Sequence, residues 1–311
     1  MQGRRKFLQS SVVFGVSTLS GISIPLRAAN DVLTHALGDT ELITLSDGYM
    51  QLPLSFILPE DINADERAGL IAQYELNIEA VRSPCTVTLW KTADRTILFD
   101  TGGGTLFMPT LGNLQESLSA AGVSPSDVTD VVFTHAHPDH LWGLIDDFDE
   151  LVFPDASYHM NGLEWGYWRA DDTLANTPEA RQSFVVGAQN RMQYLEDRIQ
   201  LFKWGDELLP GLEAVDTHGH TPGHTSFALH QNSSSVLVLG DALNHPVFSF
   251  RKPQWPSGSD QDPEQGIKTR LSLLDRSVAD QVAVVGFHLP DGGYGQIERH
   301  DGAFRFLSDL G

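Results

Sequence analysis

The sequence predicts an α/β fold, on three observations. Short β-rich runs alternate with helical patterns from about residue 40 onward. No low-complexity linker or internal repeat breaks that alternation. Four segments bearing His or Asp, at 134–140, 216–224, 241 and 288, each adjoin an apolar strand run, so strand ends converging on one sheet edge would gather them into a single cleft.

Taken in order, "CTVTLWK" and "RTILFDTG" are β-rich runs separated by "TAD", which suggests a hairpin. "NLQESLSAAGV" has the pattern of an amphipathic helix stopped at Gly122, and "VTDVVFTH" is a buried strand leading into "FTHAHPDHLWG". A long helical region follows near 178–200, then a strand "LEAVDTH", the strand pair "TSFALHQ" and "SSVLVLGD", a helix around 263–276, and a last buried strand "QVAVVGFH".

Composition narrows the function. The 311 residues are 41% hydrophobic, enough for a substantial core. Twenty Lys and Arg against 41 Asp and Glu give a formal charge of −21, a surface that repels phosphate backbones and anionic headgroups. This disfavours nucleic-acid processing and peripheral membrane binding. Cys85 is the sole cysteine, so neither an intramolecular disulfide nor a thiolate cluster can form, and it reads as a buried strand residue.

The N-terminal stretch "GRRKFLQSSVVFGVSTLSGISIPLRAAN" runs from paired arginines through a weakly apolar segment, short for a membrane span, to small residues. It reads as a twin-arginine export signal over residues 1–29, with 30–311 as a single domain destined for the periplasm or the medium. Removing it leaves 16 basic against 41 acidic groups, a formal −25.

The densest chemistry lies in H-x-H-x-D-H. In an extended strand exit His135 and His137 point to the same side. Pro138 then opens a helix, placing Asp139 and His140 in its first turn. Imidazole and carboxylate suit zinc or another divalent first-row metal, with Mn, Co and Fe also admissible. Downstream, "THGHTPGHTSF" supplies His218, His220 and His224, "LGDALNH" supplies Asp241, and "GFHLP" supplies His288.

These motifs resemble the metallo-β-lactamase superfamily over roughly residues 40–306, which implies an αβ/βα four-layer sandwich with its metal site at one edge of two packed sheets. The resemblance implies that His135, His137 and His224 bind one metal and that Asp139, His140 and His288 bind a second, with Asp241 bridging them. Asp100, in "DTGGG", is expected to brace the loop, and so are His218 and His220. His245, four residues after Asp241, is a lesser candidate for the pocket wall.

Two such ions can activate a water as hydroxide and clamp a substrate's oxygens, and Asp139 is placed to orient the nucleophile or move a proton. The reaction expected is hydrolysis of an activated acyl or phosphoryl bond. A bridging Asp241 fits lactonases, glyoxalase II and phosphotriesterase-type members better than true β-lactamases, which place Cys or Ser near the site, whereas Cys85 sits in the wrong part of the chain.

Flanking text such as "HLPDGGYGQIER" is most similar to methyl parathion hydrolase and the related acyl-homoserine lactonases. That similarity implies an apolar leaving-group pocket at Phe107, Trp168 and Phe184, and a possible homodimer. Residues 161–185 and 244–262 depart from the subfamily pattern, so the substrate is left open among lactones, esters and organophosphate triesters. A mononuclear iron oxygenase of the persulfide dioxygenase type, a glyoxalase II-like thioesterase and a non-catalytic metal-binding protein are the alternatives.

Overall fold

The computed structural model describes residues 32–58 and 62–308. The export signal expected at 1–29 lies outside the described residues.

Among the described residues the strands form two seven-stranded sheets. The first runs in chain order from β1 (Val32–Leu37) through β2 (Thr40–Leu52), β3 (Val81–Lys91), β4 (Thr96–Phe99), β5 (Asp130–Val132) and β6 (Ser157–Asn161) to β7 (Ile199–Phe202). The second holds β8 (Glu207–Leu209), β9 (Leu212–Asp216), β10 (Thr225–Gln231), β11 (Ser234–Val238), β12 (Ala283–Val285), β13 (Tyr294–His300) and β14 (Ala303–Ser308).

Alternation along the strands builds four layers. On β4 and β5, Ile97, Phe99 and Val132 face inward and meet Phe227, Leu229, Val236, Val238 and Val285 of the second sheet. Their neighbours Leu98 and Val131 face outward, onto a layer that includes Leu114 and Leu118 of helix 114–120 and Val185 and Met192 of helix 182–192. On the far side Ala228, Leu237 and Val284 face Leu273 and Leu274 of helix 263–280. Helix, sheet, sheet, helix is the αβ/βα sandwich that the resemblance implied.

The hairpin at 81–99 and the pair β10–β11 form as expected, both antiparallel. Three expectations need correction. The helical region near 178–200 is α-helical only over Gln182–Met192, with 3-10 turns at Glu179–Arg181 and Gln193–Leu195. "QVAVVGFH" is not the last strand, because β13 and β14 follow it as an antiparallel hairpin. Ordered structure begins before residue 40, with β1 pairing β2 from Val32. β1 and β14 are edge strands and β13 lies next to β14, and all three are only partly buried, so they lack the continuous apolar run of a central strand.

Direction matters more than count. β4 and β5 are parallel, as are β11 and β12, and β3 is antiparallel to β4. The C-terminal ends of β4, β5, β11 and β12 and the N-terminal end of β3 therefore share one edge. Backbone bonds lock that edge, with Thr225 N–H donating to Thr134 O at 2.9 Å and Thr86 N–H donating to Phe287 O at 2.9 Å.

Asp47, at an irregularity in the β2–β3 register, pins the "DTGGG" turn to this edge. Its carboxylate accepts from the backbone N–H groups of Gly103 at 2.8 Å, Gly112 at 3.1 Å and Leu114 at 3.0 Å. Burial nonetheless pushes its pKa up to about 7. Gly102, at φ +74°, passes so close that a Cβ would lie 2.7 Å from the carboxylate. Asp47→Ala leaves three backbone donors, two of them buried, without their acceptor and should lower stability by about 3 kcal/mol, read as a fall in the urea midpoint at unchanged slope.

Candidate metal centre

His135, His137, Asp139, His140, Asp241 and His288, drawn from three chain segments, are all buried at the shared edge. The segment after β5 does what H-x-H-x-D-H suggests. His135 Nε2 lies 3.0 Å from His137 Nδ1, and Pro138 opens a single helical turn, Pro138–Leu141, that carries Asp139 and His140.

The structure exchanges two histidines of the "HGHTPGH" loop. His220 Nε2 lies 2.9 Å from His137 Nδ1 and 3.3 Å from Asp241 Oδ2, inside the cluster. His224 is held from both sides instead. Its Nε2 accepts the Asp241 backbone N–H at 3.0 Å, and its Nδ1 lies 3.1 Å from Thr217 O. The chain presses Gly240, at φ +55°, against that ring, where a Cβ would stand 2.7 Å from Nε2. His224 thus has no nitrogen left for an ion, and His220 has one. His218 stays outside, partly exposed and 2.6 Å from Asp216. His245 also stays out, its Nδ1 accepting the N–H groups of Val247 and Phe248.

Four rings of the cluster, those of His140, His288, His220 and His135, have their second nitrogen committed. His140 Nδ1 faces Asp100 Oδ2 at 2.8 Å, and Asp100 also accepts from Thr134 N–H at 2.8 Å and Thr134 Oγ1 at 2.7 Å. His288 Nδ1 donates to Pro84 O at 2.7 Å. His220 Nδ1 faces Asp260 Oδ1 at 3.2 Å, while Arg270 donates to the other Asp260 oxygen at 2.9 Å. His135 Nδ1 faces Thr134 Oγ1 at 3.0 Å. The remaining nitrogens converge on one another and on Asp139 and Asp241.

That convergence suits a cation. Asp139 Oδ2, His140 Nε2 and Asp241 Oδ1 are buried and lack any hydrogen-bond partner. Asp241 spans the cluster, with Oδ1 3.1 Å from His140 Nε2 and Oδ2 3.2 Å from His288 Nε2. Three trios have donor atoms within 4.8 Å of one another: His135, His137 and His220; His135, His140 and Asp241; and Cys85, Asp139 and His288. Burial, reinforced by the His140 and His220 rings, pushes His135 and His137 well below the ordinary histidine range, so they are neutral as a ligand must be. Burial works against charge on His140 and His288 too, yet Asp241 and Asp139 beside them outweigh it and raise both. The carboxylates therefore call for positive charge here.

Cys85, expected to lie away from the cleft, belongs to the third trio. Burial pushes its thiol up to about 12.

Glu164 went unnoticed in the sequence, because a lone glutamate in a helix normally faces solvent. It is fully buried. Its Oε1 accepts from Ala136 N–H at 2.9 Å and Trp168 Nε1 at 2.6 Å, and its Oε2 accepts from Thr221 Oγ1 at 2.7 Å and Gly223 N–H at 2.9 Å. One carboxylate thus ties the H-x-H segment to the His220 loop.

Two cavities open on the cluster. One, of about 240 Å³, is walled by apolar groups including Met50, Leu52, Phe56, Phe107, Met108 and Phe184, and reaches Asp139, Asp241 and His288. The other, of about 580 Å³, includes Trp168, Tyr167, His218, Asp260 and Asp262. His137, Arg181 and Phe184 line both. Phe107 and Phe184 therefore face the first cavity, whereas Trp168 is nearly covered and faces the second. The segments that departed from the subfamily pattern supply much of these walls.

The metallo-beta-lactamase superfamily model matches residues 80–285. The N-acyl homoserine lactonase AttM of Azorhizobium caulinodans is 27% identical over 56% of this chain and 63% of its own length. A metallo-beta-lactamase domain-containing protein 1 of Xenopus laevis is 29% identical over 61% of this chain and 69% of its own. Among solved structures, AidC, described as a dizinc quorum-quenching lactonase in complex with a product, superposes with a TM-score of 0.84 at 26% identity, covering 90% of this chain and 98% of AidC. The hydrolase AbOPH superposes at 0.83 with 25% identity, covering 91% and 98%. Among the described residues no helix is long and apolar enough to cross a membrane.

Glu164→Gln turns an amide N–H₂ toward two of the four donors the carboxylate now satisfies. It should cost about 1–3 kcal/mol, seen as a lowered thermal midpoint.

Proposed function

The chain belongs to the metallo-beta-lactamase superfamily, and from that premise we propose that it is a two-metal hydrolase of small lactones, esters or organophosphate triesters. The observation that carries the reading is Asp241, whose two oxygens face separate histidines, Oδ1 toward His140 and Oδ2 toward His220 and His288. A carboxylate so placed can join two ions. In this reading His135, His137 and His220 would hold one ion and Asp139, His140 and His288 the other, with Asp241 shared between them. Zinc suits this donor set, and AidC is described as dizinc.

Ions bound there would supply Lewis acidity and a water acidified toward neutral pH. The chain's residues do the rest. Asp139, which burial would raise but His140 and His288 hold below the ordinary carboxylate range, stays ionised and can take a proton at Oδ2. Asp100, Asp260 and Pro84 O keep the rings aimed without reorganisation. Phe107 and Phe184 seat an apolar substrate group and exclude water. The lactonase AttM and AidC support the lactone end of the range. Similarity of motif to methyl parathion hydrolase supports the phosphotriester end.

Metal analysis of the purified protein, paired with assays on an aryl ester, an acyl lactone and methyl parathion, tests the proposal. Two equivalents of zinc or a similar ion with turnover of at least one substrate are expected. His135→Ala and His220→Ala should each abolish turnover and lower metal content while leaving a folded protein. A single iron with no hydrolysis would overturn the reading in favour of an oxygenase.

We also propose export by the twin-arginine route. Replacing Arg4 and Arg5 with lysine should keep the protein in the cytoplasm, as read by fractionation, and unchanged export would refute it.

A further inference from the structure

The sequence offers one thiol, Cys85, and the fold carries it to the metal cluster. Side chains alternate along β3, so Ser83, Cys85, Val87 and Leu89 share a face. Val87 and Leu89 continue into the outer apolar layer, whereas Ser83 lines the cavity that reaches Asp139, Asp241 and His288. Cys85 stands where that face passes from core to cavity.

Its surroundings are those of a ligand. Cys85 Sγ, a carboxylate oxygen of Asp139 and a ring nitrogen of His288 lie within 4.8 Å of one another. Asp139, 5% exposed, has Oδ2 buried without a hydrogen-bond partner, aimed into this space. His288 Nε2 lies 3.2 Å from that oxygen, while its Nδ1 is held by the carbonyl of Pro84, the residue before Cys85. The same peptide segment thus orients the histidine and presents the sulfur.

We infer that Cys85 is a thiolate ligand to the ion held by Asp139 and His288, giving that position a soft donor the other lacks. The inference rests on the two-metal reading above. On binding, the S–H bond is exchanged for a sulfur–metal bond and the proton leaves to solvent; no electrons are transferred. One consequence is metal choice, since sulfur ligation favours zinc, cobalt or iron over manganese or magnesium at that position. Another is asymmetry, the position with sulfur and the position without it differing in Lewis acidity.

Cobalt(II) titration of the full folded protein tests this without recourse to turnover. Visible ligand-field bands report cobalt in the His and Asp donor set, and a near-ultraviolet sulfur-to-cobalt charge-transfer band reports thiolate ligation. Because the chain has a single cysteine, such a band can arise only from Cys85 even in the wild type. The expected result is a charge-transfer band that grows with one of two cobalt equivalents and is lost in Cys85→Ser, whose visible bands remain. Two bound equivalents with visible bands but no charge-transfer band would overturn the Cys85 assignment and leave the metal centre standing. Failure of cobalt to bind would overturn both. Should Cys85→Ser fail to fold, the wild-type spectrum alone decides.

Discussion

Several imidazoles and carboxylates buried against one another at the edge of two sheets are tolerable only if outer partners hold the rings in place and the inner atoms share a cation. The outer partners are identifiable one by one: Asp100 for His140, Pro84 O for His288, Asp260 for His220 and Thr134 for His135. Each fixes an orientation, so that the free nitrogens point inward together. Arg270 backs Asp260 in turn, and donates to Pro253 O and Trp255 O, which couples His220 to the loop before helix 263–280.

The sandwich exists, as far as chemistry is concerned, to bring these partners to one edge. Parallel pairing of β4 with β5 and of β11 with β12 delivers Asp100, the H-x-H segment, Asp241 and His288 in the same direction. Loops carrying so many polar groups would separate without ties, and two buried carboxylates supply them. Asp47 holds the glycine-rich turn, and Glu164 joins the H-x-H segment to the His220 loop. Both are isolated acidic residues whose value lies in the backbone N–H groups they collect.

Specificity resides elsewhere. The metal cluster is built on strand ends, but the cavity walls come from 161–185, 244–262 and the short segments around Phe56 and Phe107. An apolar lobe and a more polar lobe meet at Arg181 and Phe184, next to His137. A substrate with one apolar and one polar arm fits such a cleft, and changes to wall residues of those segments other than Glu164 and Asp260, which brace the cluster, would alter substrate without disturbing it.

The sequence by itself determined the α/β alternation, the clustering of His135, His137, Asp139 and His140, and the placing of Asp241 and His288 at strand ends, because those signals are local: spacing, a proline that opens a turn, and apolar runs that end on His or Asp. Tertiary structure alone decided between His220 and His224. Both lie in one short loop, and what separates them is the Asp241 backbone N–H, which occupies His224 Nε2 from 17 residues away. Cys85 and Glu164 were equally invisible, the first because β3 reaches His288 across some 200 positions, the second because its four partners come from two other segments and its own helix. A side chain's chemistry is written in the sequence, but which way it points depends on neighbours that only folding supplies.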